Sequence, residues 1–132
     1  DGALGGGVVR MERFTALEAE APAFALLQFL KGRAMFRLGR WELAEAAFER
    51  QHALDPTFVL ALEGLAAAAK EAGNYSRARQ AALTAIALEP KDPLHWLALS
   101  DIYARERKLG QARDALQRAK RRGLAPTRLN RG

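Results

Sequence analysis

The sequence predicts an all-α solenoid of about seven helices in antiparallel pairs, and three observations carry that prediction. Pro22, Pro56 and Pro90 stand 34 residues apart. Apolar residues recur at helical spacing within each half of the units so framed, as in Trp41, Ala44 and Phe48 or Leu94, Leu97, Ile102 and Tyr103, and strands are not indicated. Turn residues divide the halves: Gly39 before Trp41, Gly73-Asn74 before Tyr75, and Lys108 to Gly110. Such breakers recur too often for a sustained heptad, which excludes a coiled coil.

Setting each proline at position 32 of a unit orders the elements. Residues 1–7, with the Gly5-Gly6-Gly7 run, are read as a flexible N-terminal segment. Over 8–21, Val8, Met11, Phe14 and Leu17 fall three apart, one apolar stripe along a helix. That helix occupies a second-helix slot, but Arg10 stands where later units have Ala44, Ala78 and Ala112. It is read either as a capping helix without its partner or as part of an upstream unit cut away. Units one, two and three cover 25–58, 59–92 and 93–122, so that 8–122 forms a single domain.

Position 8 of the units is small throughout, with Gly32, Ala66 and Ser100, which lets two helices approach closely. Position 7 carries Leu65 and Leu99. Asp92-Pro93 has the order of a helix cap followed by proline at the first helical position, and Asp55-Pro56 is expected to do similar work for unit two. In unit three, Lys120 and Arg122 replace the apolar Ile86 and Leu88 of unit two, a polar outer face of the kind that ends an array. Gly123 is expected to stop the last helix, leaving 123–132 as a basic tail.

At 132 residues, 49% apolar and 27% charged, the chain has the balance of one globular domain that folds in water. It has no cysteine, which excludes disulfides, thiolate zinc sites and cysteine nucleophiles. With no apolar run long enough to span a bilayer and no signal core, a soluble location is expected, cytoplasmic rather than periplasmic. The start at Asp1 rather than Met fits a processed or excised piece. The net charge of +6 is uneven: from Arg105 onward, ten basic residues face only Glu106 and Asp114. A preference for Arg over Lys, with many alanines, points to a GC-rich bacterial source.

Trp96, Leu99, Ser100, Tyr103, Ala112 and Leu116 in unit three, with Gly32, Ala44, Phe48 and Leu54-Asp55-Pro56 in unit one, resemble the tetratricopeptide repeat. The resemblance covers residues 23–122. Gln28 and Lys31 depart from it, replacing a Trp and a Leu of the family pattern. It implies a right-handed superhelix whose first helices line a concave groove, with positions 2, 5, 6, 9, 12 and 13 facing a protein or peptide partner. In unit one these positions hold Leu26, Phe29, Leu30, Arg33, Phe36 and Arg37; in unit two, Leu60, Glu63, Gly64, Ala67, Lys70 and Glu71. Unit three places Leu94, Leu97, Ala98, Asp101, Ala104 and Arg105 there. Family members that clamp a C-terminal carboxylate use Lys and Asn at positions 5 and 9 of their first repeat. Phe29 and Arg33 stand at those positions here, so no such clamp is expected.

An apolar floor with a charged rim suits an amphipathic helix or an extended apolar peptide. Leu60, Leu94 and Leu97 are expected to supply the apolar contact, and Arg37, Lys70, Glu71 and Arg105 the orientation. A homodimer that buries these faces, as in a self-associating structural segment of a larger protein, is the alternative to a foreign peptide. A basic patch of Arg113, Arg118, Lys120, Arg121 and Arg122 suits phosphates, an anionic surface or an acidic protein. No aromatic residues interleave with it for base stacking, however, so a solvated face outweighs nucleic-acid binding. No catalytic, cofactor or metal site is expected. His52 and His95 lie on different units without a ligand spacing, and Gly5-Gly6-Gly7 lacks the Gly-Lys-Ser/Thr ending of a phosphate loop.

Overall fold

A computed structural model describes residues 25–124. Within them lie six helices: α1 (Leu27–Arg37), α2 (Trp41–Leu54), α3 (Val59–Glu71), α4 (Tyr75–Leu88), α5 (Pro93–Arg105) and α6 (Leu109–Arg121). No strand occurs among the described residues. The seventh helix expected at 8–21, the 1–7 segment and the tail from 125 onward lie outside them.

The three-residue turns within each pair share one geometry. The amides of Arg40, Asn74 and Lys108 bond the carbonyls of Met35, Ala69 and Tyr103. The residue before each amide has positive φ: Gly39 at 73°, Gly73 at 83° and Arg107 at 65°. This is the Schellman ending, which asks for a left-handed residue that glycine adopts without a Cβ penalty. Gly123, at φ 97°, ends α6 in the same way as expected, with Leu124 N–H on the Ala119 carbonyl. The turn signal at Lys108 to Gly110 was displaced from its true place: Gly110 lies inside α6, and Arg107 takes the strained position.

Helix starts divide by chemistry. Asp92 caps α5, its side chain accepting from Leu94 N–H at 2.9 Å with Pro93 at the first helical position. Asn74 caps α4 by accepting from Arg77 N–H. Asp55 does not cap α3 as expected. Its carboxylate accepts from the Thr57 amide and hydroxyl, closing a local turn, and α3 begins later, after Phe58. Leu26 offers no capping group to α1, and Gln51 of α2 supplies one: its Oε1 accepts from Phe29 N–H at 2.9 Å. Gln51 is buried, so this orphan donor of the first turn is satisfied from a neighbouring helix.

Each helix packs on the next, and α3 also meets α1 and α5, so the first helices of the pairs line one face. The core is written largely in alanine. Ala44, Ala78 and Ala112 are buried at equivalent positions, and Ser100 Oγ donates to the Ala112 carbonyl at 2.7 Å. Larger side chains interrupt that pattern, Phe48 among them. The Phe48 ring is 2% exposed and stands between α1 and α3, where a Cβ would lie 2.8 Å away at Gly32 and 2.5 Å away at Gly64. Both glycines therefore make room for one ring. Lys31 is exposed where Leu65 and Leu99 are buried.

Candidate functional site: a two-cavity groove on the first helices

The face built by α1, α3 and α5 carries two adjoining cavities. One, of about 280 Å³, lies between α1 and α3 over Phe29, Phe36, Phe48, Leu60 and Gly64, with Arg33 and Arg37 at its edge. The other, of about 150 Å³, lies between α3 and α5. Its walls are Leu62, Leu94, Ile102 and alanines of α3, α4 and α5. Glu63 and Ala67 line both.

The residues expected to face a ligand divide into three groups. Leu26, Leu30, Leu60, Leu94 and Leu97 are exposed, with Leu60 at 49% and Leu94 at 59%, and Ala98 is exposed beside them. Phe29 and Phe36 are half-buried: the Phe29 ring meets Phe48 at 5.8 Å and Phe58 at 5.2 Å, and Phe36 meets Trp41 at 5.0 Å. They form the floor more than the rim. Arg33 lies 5.9 Å over the Phe29 ring. Among the described residues, Arg33 and Arg37 make no ion pair.

The remaining charges, Glu63 apart, are engaged with one another. Lys70 pairs with Asp101, and Arg105 reaches Glu71 at 3.4 Å, so both pairs tie α3 to α5.

The basic patch is likewise partly internal. Arg118 and Arg122 stand 5.1 and 5.2 Å from the centre of the Trp96 ring, and Arg122 Nε donates to the Pro90 carbonyl at 2.7 Å. Cations over an indole face are held by its quadrupole. Arg113, Lys120 and Arg121 are exposed.

One arrangement was missed from sequence. His95 is buried on α5, with Nε2 2.7 Å from Glu89 and 3.6 Å from Asp92, and Nδ1 3.9 Å from Glu63. Ligand-type atoms of Glu63, Glu89 and His95 all lie within 4.8 Å of one another. Burial holds the Glu63 carboxyl above the ordinary carboxylate range; His95 pulls it down, while Asp92 and Glu89 push it further up. The signal available was the three-residue spacing of Glu89, Asp92 and His95 across the start of α5.

Paired helices repeated at 34 residues, with a shared face left open, define a helical-repeat solenoid. A family model described as Tetratricopeptide repeat matches residues 12–57 and 64–127, and the chain belongs to that family. No curated protein matches the sequence. Among solved structures, the Yersinia enterocolitica type III secretion translocator chaperone SycD aligns at TM-score 0.76 and 16% identity, over 89% of this chain and 88% of that one. The first TPR of Spaghetti (RPAP3), bound to the HSP90 peptide SRMEEVD, aligns at TM-score 0.71 and 18% identity, over 81% and 85%. MamA aligns at TM-score 0.69 and 19% identity over 74% of this chain, which spans 57% of MamA. Among the described residues, no helix is long and apolar enough to cross a membrane.

Proposed function

We propose that the chain is a protein-interaction scaffold that holds an extended, largely apolar segment of a partner across α1, α3 and α5. The observation that carries this reading is the pair of cavities joined through Glu63 and Ala67 and bordered by exposed Leu60 and Leu94. Packed helices stand about 8–10 Å apart, so two side chains three residues apart on a segment in the polyproline II conformation, which share one face about 9 Å apart, reach both cavities. Stacked helices keep the surface preformed, so the cost of ordering falls on the segment. The peptide-bound Spaghetti domain and the chaperone SycD support a binding role for this fold. Phe29 and Arg33 at the clamp positions argue against an acidic C-terminus as the ligand.

A displayed random-peptide library tests the reading. Selected peptides should lose about tenfold or more in affinity with Leu60→Asp or Leu94→Asp, with far-UV circular dichroism unchanged. Loss of helicity in those variants, or a library that yields no binder, defeats it.

A further inference from the structure

The cavity between α3 and α5 has aliphatic walls and one lining acid, Glu63, with the Glu89 carboxylate within 4.8 Å of both Glu63 and His95. Three carboxylates, from Glu63, Glu89 and Asp92, face the single imidazole of His95. Even a protonated His95 leaves this group with a net negative charge. Lys70, which also lines the cavity, is paired with Asp101 and stands about two turns along α3 from Glu63.

We infer that this cavity receives a lysine or arginine side chain of the bound segment, its methylene stem against Leu62, Ala66 and Ala98 and its charged head among the three carboxylates. The inference rests on the groove reading above. Long cationic side chains bury an apolar stem while the head stays in a polar, partly wet setting, which matches alanine walls ending at half-exposed acids.

A metal ion fits less well. Glu63 approaches Nδ1 and Glu89 approaches Nε2, whereas a bound ion takes one ring nitrogen and leaves the other to a hydrogen-bond partner. An ion also makes no use of the aliphatic walls. Arg33 and Arg37 at the α1 end repel a cation there, so the segment lies with its basic residue over α3 and α5. In a polyproline II segment one helix-to-helix step then sets that residue about three positions from the apolar side chain in the other cavity, on the same face.

The test is a positional-scanning library of capped hexapeptides, each holding one leucine with the other positions randomised, read by fluorescence anisotropy on the full chain. The expected result is a preference of about tenfold for Lys or Arg over Glu, about three positions from the leucine, weakening with salt. Glu63→Gln with Glu89→Gln should erase that preference and keep the one for leucine; both acids are half-exposed, so the isosteric change spares the fold. Glu63→Lys should turn the preference toward acidic residues, an effect that a purely structural glutamate would not show. A leucine preference without any basic preference overturns the cationic pocket and leaves the groove standing. Absence of both overturns the groove and this inference together. Zinc alone shifting the His95 ring resonances at about micromolar concentration, with no basic preference, assigns the cluster to a metal instead.

Discussion

Phe48, Gly32 and Gly64 show how one side chain dictates its neighbours. The Phe48 ring occupies the space that a Cβ on either glycine would need. Gly64→Ala should therefore destabilise the fold by about 1–3 kcal/mol, seen as a lower urea midpoint, because the ring must leave its packed position to admit the methyl group. Arg107 is the opposite case, a residue whose backbone is strained where the two preceding units have glycine. Arg107→Gly should stabilise by about 1 kcal/mol and raise the melting temperature by a few degrees. The 34-residue register alone would have exposed Arg107 at the position of Gly39 and Gly73, but Gly110 nearby offered a more familiar turn signal.

At the level of the helix, the ends carry the differences among units. α2 and α6 start after Arg40 and Lys108, neither of which caps, while α4 starts after the capping Asn74. Lys108→Asn should add about 1 kcal/mol by giving α6 the same acceptor, measurable in a thermal melt. The turn after α5 also holds a charge pair. The hydrogen bond from Arg79 keeps the Glu106 carboxyl below its usual range, burial opposes it, and Lys108 adds to the lowering. Glu106 thus binds its proton less readily folded than unfolded. Its contribution is complete above the ordinary glutamate range and is lost as pH falls through the depressed value. The urea midpoints of the parent and Glu106→Gln, compared from neutral pH to about pH 3, should converge on acidification.

Across the whole molecule, the open face and the inter-unit pairs set what the chain presents. Lys70 to Asp101 and Arg105 to Glu71 join α3 to α5 and withdraw four charges from the rim. The Arg105 and Glu71 pair lies at the surface, where ion pairs stabilise little, so Glu71→Gln should leave the melting temperature nearly unchanged. If the groove serves a foreign segment, light scattering should return one mass near 14.5 kDa at all concentrations and salts. A concentration-dependent mass would mean that the exposed leucines of this face meet a second copy.

The proline period, the small residues at position 8 and the alanines at position 20 were enough to determine helix pairs and their order, and the resemblance to the repeat family implied the face that the first helices share. That information is local: helical phase places a side chain on a face wherever the helix goes. Which side chains on that face are free was decided only by tertiary structure. Lys70 and Asp101 lie 31 residues apart, Arg105 and Glu71 34 apart, and His95 of α5 meets Glu63 of α3. Such meetings depend on how far and at what angle one helix packs on another, and no residue's own periodicity encodes that distance. The same holds for Arg118 and Arg122, read from sequence as part of a basic patch on a solvated face and drawn in the fold onto the Trp96 ring.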